Sequence, residues 1–441
     1  MTTGMIHPDY FVIRQVFPRH PEPRVEAWLD EELDRSGLLA PIAAGQKVLI
    51  TAGSRGTDSL PAILAGLVRR VRAQGGRPII FPAMGSHGGA TGPGQVRVLN
   101  GLGITENTVG APIHEGWQSV KIATATEETP VYVDRAATEA DHIILVNRIK
   151  EHTDFIGLIE SGLVKISVIG LGRRPGAESM HRLAVSLGYY RSLQTLSRVI
   201  FERVNILGGI AQLEDHFNRL RRIEAVPAER IFDREPALLA ESRNFKPKLP
   251  FAEIDLLMID QIGKEISGTG ADTKVIGRIM NRFEEETVQP FIKRIVVRDL
   301  SPGSYGNAIG IGLADYTTFR LPLKTDHEKT AVNCLAGGRP ELGRMPLALA
   351  SDRQALESAL SNIGPWRAET VRLVWIQNTK KLERLVVSRS LKEEAERRDD
   401  LRVESGPFSL SFDSTGNLET RPGLWPGGAG YVRSEERPQN P

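Results

Sequence analysis

Near the start of this 441-residue chain, an apolar run KVLIT at 47–51, a helical pattern at 60–72 closed by Gly75-Gly76, and a second apolar run RPIIFP at 77–82 follow in close succession. Strand, helix and strand at that spacing form a βαβ rhythm, which calls for parallel strands. A further strand is expected over 141–149 (DHIILVNRI) and a helical run over 192–204. In sheets of this kind, sites form where loops leave the carboxyl ends of strands. Three loops fit that description: 52–58, 83–94 and 150–155.

The length calls for two domains. Charged, proline-bearing sequence at 224–250 separates the halves, and the second opens on an apolar strand, FAEIDLLMIDQIG, at 251–263. Further strands are expected at 294–298 and 371–376, with helical patterns at 328–336 and 355–360. The fold class expected is α/β: a first domain over 1–245, a second over 246–415, mainly parallel sheets and an active-site cleft between the two. Glycine, proline and charge dominate 416–441, which reads as a flexible tail.

Net charge is only +2 and no lysine and arginine run stands out, so nucleic acid is not an expected partner. The apolar runs are far too short for a membrane span and the N-terminus lacks a basic start followed by an apolar core, so a soluble, cytoplasmic protein is expected. The single cysteine, Cys334, forbids an internal disulfide and any cysteine-built zinc or iron–sulfur site within one chain. It reads as a partly buried, inert thiol.

Chemistry concentrates in the loops. AMGSHGGATGPGQ sets His87 among Gly85, Gly88, Gly89, Gly92 and Gly94 just after a strand. Such glycines permit positive φ and close approach of backbone to a ligand, and amides leading into a helix suit an anion. An ordinary glycine-rich turn is the alternative. TAGSRGTDS carries Arg55 at another strand end, where a guanidinium can fork onto a carboxylate or phosphate, or simply lie at the surface. The segment 147–181 holds His152, Lys165 and His181. Lys165 stands among Leu163, Val164, Ile166 and Val168, where a buried charge is costly; it must snorkel out, pair with an acid, or be consumed in a covalent bond. Gly170, Gly172 and Gly176 do not make a dinucleotide fingerprint, because the third glycine is one residue late and no strand precedes it cleanly. His7, His20, His114, His142, His216 and His327 read as structural or exposed. In the second half, DQIGKEISGTGAD offers Asp260, Gln261 and Lys264 at a strand end, facing a cleft or capping a turn. A zinc hydrolase would want closely spaced histidines such as HExxH, and none is present.

Taken together these residues resemble the nickel-dependent lactate racemase family, over most of the chain. The resemblance implies a nickel pincer cofactor derived from a pyridinium mononucleotide and held between two α/β domains. Lys165 matches the lysine that tethers it through a thioamide, and His181, sixteen residues on, matches the nickel ligand. His87 and His152 match the acid and base pair. Arg55 matches the arginine of the first loop, which with Gly88 and Gly89 would hold the cofactor; Gln261 and Lys264, with Arg55, would hold substrate. The implied reaction moves hydride from the 2-carbon of a hydroxy acid to the cofactor and back to the opposite face, through a 2-keto acid. Nickel in a planar set of two sulfurs and a carbon needs one further ligand, and acylation removes the lysine charge. Inverting a carbinol needs proton exchange from two directions, hence two histidines.

Differences from the family point to another substrate. The step from His152 to Lys165 is longer, GLIESGLV replaces a glycine-rich approach to the lysine, and the arginine loop reads GSRG. A racemase or epimerase of another 2-hydroxy acid, lactate-like or larger, is expected, with the cofactor-building enzymes as partners and neither nucleic acid nor membrane among them. The rivals are a small-molecule binder of the same fold without catalysis and, behind it, a zinc hydrolase. Glu160 is expected in an apolar helix, as a partner of His152 or Arg148.

Overall fold

The computed structural model describes residues 7–54, 59–85, 87–287, 289–419 and 423–425, and divides into two compact units. One comprises 19–246 with 282–285; the other comprises the N-terminal residues to 18, 247–281 and the chain from 286 onward. Each is built on an α/β plan with a mainly parallel sheet.

The first unit holds a five-stranded sheet in the order Arg77–Pro82, Lys47–Ala52, His142–Arg148, Ile206–Glu214 and Leu220–Pro227. The first four run parallel and the last turns back antiparallel. His142–Arg148 buries five residues in succession, the pattern of a parallel strand covered on both faces. Successive side chains point to opposite sides. Leu49, Phe81, Ile143 and Leu145 pack with the helices after Lys165, while Val48, Ile50, Ile80 and Ile144 pack with the helices Val25–Ser36 and Leu60–Ala73. The latter helix buries Ile63, Leu64, Leu67 and Val71 at helical spacing, as its sequence requires. Lys47 pairs with Arg77 and Ala52 with Pro82, so both strands end at one level and their loops begin side by side.

In the second unit eight strands take the order Leu347–Leu349, Tyr316–Thr318, Phe291–Leu300, Glu253–Ile262, Leu373–Ile376, Arg384–Ser388, Tyr10–Gln15 and Leu401–Phe408. The first five are parallel and the rest antiparallel. Tyr10–Gln15 thus lies in this sheet, paired on both sides, although the sequence reading counted it within 1–245. Its own residues carry no sign of which strands they join.

The start of the expected tail is docked. Trp425 meets Trp375 edge-on with ring centroids 5.7 Å apart, and its indole donates to Asp260 Oδ2 at 2.8 Å. Asp260 Oδ1 accepts from Trp375 Nε1 and Arg298 Nη1, both at 2.6 Å. This carboxylate, singled out for the site, is therefore committed to anchoring the chain end. The remainder of the tail, 420–422 and 426–441, lies outside the described residues. Cys334 is buried, and burial pushes its thiol above the ordinary range. Among the described residues no helix is long and apolar enough to cross a membrane.

Candidate functional site

The carboxyl edge of the five-stranded sheet gathers the three expected loops. His87, in the loop after Arg77–Pro82, places Nδ1 2.5 Å from the hydroxyl of Ser54, in the loop after Lys47–Ala52. Arg55, the next residue, lies outside the described residues. Gly88 has φ 63° and sits so close to Gly94 that a Cβ would fall 2.5 Å from its carbonyl carbon. That glycine folds the loop on itself and does not serve ligand approach. Gly89, at φ 68°, does face open space. The helix Gly92–Gly101 is capped by Thr91, whose hydroxyl accepts the Gly94 N–H at 3.2 Å, so this amide is not offered to an anion.

The third loop follows His142–Arg148 and is pinched shut by paired backbone bonds between Lys150 and Ser161, at 2.9 and 3.1 Å. Glu160 lies inside it, in irregular structure and not in a helix. Phe155 and Ile159 give the stretch a helical spacing, yet both are buried from a loop. The Glu160 carboxylate, 1 % exposed, accepts the backbone N–H groups of His152 (2.6 Å) and Gly157 (3.2 Å) and pairs with Arg243 at 2.8 Å. Arg148 pairs instead with Glu214, at 2.9 Å. Glu160→Ala leaves two amides and a guanidinium to find other partners; a loss of about 1–3 kcal/mol is expected in urea unfolding. Equal stability of variant and parent would contradict this brace.

The His152 ring takes the Asp154 N–H on Nδ1 at 3.1 Å and packs on Phe155 with centroids 4.8 Å apart. Phe155 stacks on Tyr189 at 5.4 Å, and Tyr189 meets His181 at 5.9 Å. A ladder of rings therefore joins His152 to His181. His181 is half-buried on the helix Arg173–Leu187.

Lys165 ends the short helix Leu163–Lys165, which runs into a wider π-type turn, Ile166–Gly170, with Leu171 N–H donating to Ile166 O at 3.1 Å. Such turns are frequent at functional sites. Leu163, Val164, Ile166 and Val168 are all core residues, whereas Lys165 is half-buried. The expected buried charge is thus a lysine at the rim of the core. Gly170 and Gly85 pack this turn against the His87 loop: a Cβ on Gly170 would meet Ala83 Cβ at 2.8 Å, and one on Gly85 would meet Ile169 at 3.0 Å. Glu235, 1 % exposed, takes the N–H of Val164, the residue before Lys165, at 3.0 Å. Burial pushes its carboxyl up to about 7 against the pull of the Val164 and Leu163 amides.

Sequence reasoning missed Ser54, Gln95, Asp134, Arg173 and Glu235, each of which acts through a long-range contact that no local pattern reveals. The one local signal is the arginine pair 173–174 at a helix start. His114, read as structural, stacks on Phe81 at 5.5 Å and reaches Asp134 at 3.3 Å. Among the described residues no three histidine, cysteine, aspartate or glutamate side chains cluster as a metal site.

Gln261 and Lys264 belong to the second unit, at the carboxyl end of Glu253–Ile262. Gln261 is half-buried and in register with Asp299, which takes Lys324 Nζ at 2.6 Å. The Lys264 ammonium donates to Gly268 O at 3.0 Å.

Residues 14–188 match the family model of the lactate racemase N-terminal domain. The matched span contains His87, His152, Lys165 and His181 and stops short of Gln261 and Lys264. A search of curated proteins gave no match. Among solved structures, the lactate racemase apoprotein from Thermoanaerobacterium thermosaccharolyticum is similar at 12 % identity and a TM-score of 0.46, covering 84 % of this chain and 89 % of that one.

Proposed function

We propose, from the match of residues 14–188 to the lactate racemase N-terminal domain, that the chain is a racemase or epimerase of a 2-hydroxy acid using a lysine-tethered nickel pincer nucleotide. The observation that carries the reading is the ring ladder from His152 to His181, at the sheet edge where His87 also stands. The donor set fits this cofactor: one half-buried imidazole, His181, and one rim lysine, Lys165, match a metal that arrives with its own carrier and needs a single protein ligand. Such a cofactor, when bound, accepts a hydride and returns it.

The chain's own residues supply the proton chemistry. Because Nδ1 of His152 accepts the Asp154 amide, the neutral ring carries its proton on Nε2 and presents a donor. His87, in the tautomer that donates from Nδ1 to Ser54, has Nε2 as its acceptor. One ring gives and the other takes, which is what exchange of the hydroxyl proton during inversion requires. Arg55 and Lys264, both cationic, with Gln261, would hold the substrate carboxylate or anionic groups of the cofactor, alongside Gly89. The partners of this reading are a small 2-hydroxy acid, lactate-like or larger, and the enzymes that build the cofactor.

Intact-mass and metal analysis of protein made together with those enzymes tests the reading. The expected result is one nickel and an adduct confined to Lys165, followed by inversion of a 2-hydroxy acid on chiral chromatography. An unmodified lysine with stoichiometric zinc would overturn it; loaded protein that inverts no 2-hydroxy acid would leave a binding protein of the same fold.

A further inference from the structure

We propose that Gln95 and Arg173 act together as positioning residues that set the His87 loop against the segment carrying Lys165 and His181. The proposal rests on the roles assigned to those residues above.

Arg173 is the first residue of the helix that carries His181, and it follows directly on the turn from Lys165. Its φ of 54° lies in the left-handed region, where a residue with a Cβ is strained. Its guanidinium is also buried, at 4 % exposure, and burying a cation is costly unless it is closely paired. Each of its nitrogens has a partner. Nε donates to Asp134 Oδ2, Nη1 to Pro82 O and Nη2 to Gly116 O, all at 2.9 Å, and the group lies 4.3 Å over the Phe81 ring. Phe81 and Pro82 are the last residues of the strand that feeds the His87 loop.

Nη1 also donates to Gln95 Oε1. A guanidinium offers only donors, so this contact fixes which way the Gln95 amide faces. With its oxygen committed, the NH2 group must point to the other side. There it donates to Gly85 O at 2.9 Å and to His87 O at 3.3 Å. Gln95 is 1 % exposed, and its one acceptor and two donors are all spent on this bridge. A strained, buried cation therefore holds the start of the His181 helix, the end of the strand before His87, and, through one oriented amide, the backbone of His87 itself. Asp134 keeps the cation in place: burial alone would raise its carboxyl, but His114 and Arg173 hold it below the usual range.

Gln95→Glu tests the bridge, because it keeps an acceptor for Arg173 and deletes both donors to the loop. Gln95→Met deletes both sides at nearly constant volume. In the unloaded full-length protein, the imidazole NMR signals of His87 are expected to shift and broaden in both variants, while those of His20 and His142 stay in place. In loaded enzyme, kcat for inversion should fall about tenfold or more, with KM changed less than about twofold, the result of a small displacement of an acid or base. His87 signals superimposable on those of the parent protein would overturn the proposal. So would global loss of fold in Gln95→Met, which would make Gln95 part of the scaffold. The imidazole spectra need neither cofactor nor substrate. Absence of inversion by the unaltered chain would therefore sink the racemase reading and leave this one, while unmoved His87 signals would do the reverse.

Discussion

His152→Ala is expected to slow inversion by roughly 10²–10⁴-fold, the range for loss of a positioned acid or base. The protein should still carry its full Lys165 adduct and its nickel. The loop survives this substitution because Glu160 grips the backbone N–H of residue 152, not its imidazole, and Arg243 grips Glu160. His87→Ala should behave alike, since Gln95 holds the carbonyl of residue 87 and not its ring. His181→Ala should instead lose nickel while keeping the adduct on Lys165. Chiral chromatography, intact mass and metal analysis on the three proteins separate these outcomes. Equal metal loss in all three would contradict the division of roles.

Glu235→Gln should raise stability by about 3 kcal/mol at pH 8 and leave it nearly unchanged at pH 4. In the folded chain, burial pushes the Glu235 carboxyl from 4.5 to about 7. Below pH 4.5 the group is protonated in both states and folding is not penalised. Between there and about pH 7 the unfolded chain gives up the proton while the folded chain keeps it, so stability falls as pH rises. Above pH 7 the full difference is lost. Glutamine cannot ionise and still accepts from the amide at Val164, so the variant escapes the loss while the turn bearing Lys165 keeps its partner. Urea unfolding of both proteins from pH 4 to 9 measures the gap, and parallel curves across that range would refute it. The natural carboxyl thus costs stability at neutral pH, and it does so on the turn that carries Lys165.

The sheet that carries the site was legible because parallel strands buried on both faces are unbroken apolar runs, as at His142–Arg148 and Arg77–Pro82. Loops at the ends of such runs are where binding and catalytic side chains collect, so His87 and His152 stood out in the sequence, while Lys165 stood out as a charge in an apolar run. What escaped depends on contacts between distant residues. Apolar spacing at Phe155 and Ile159 imitates a helix, yet those side chains serve a loop and a stack of rings. Gln95 is an unremarked amide in a short helix until its oxygen meets Arg173, 78 residues away. Trp425 sits in a stretch rich in glycine and charge, and only its bond to Asp260 shows that it is held.

Tyr10–Gln15 pairs on one side with Arg384–Ser388 and on the other with Leu401–Phe408. During synthesis the first of these strands leaves the ribosome almost four hundred residues before the last. All strands of the five-stranded sheet, by contrast, lie between residues 47 and 227 and are available once little more than half the chain is made. The site-bearing unit can therefore settle early, from contacts close in sequence, while the eight-stranded sheet must wait for its own two ends to meet. Ribosome pausing or truncation late in the message would then leave an ordered first unit beside an incomplete second sheet with an unpaired edge, the state most open to proteolysis and to pairing with another chain.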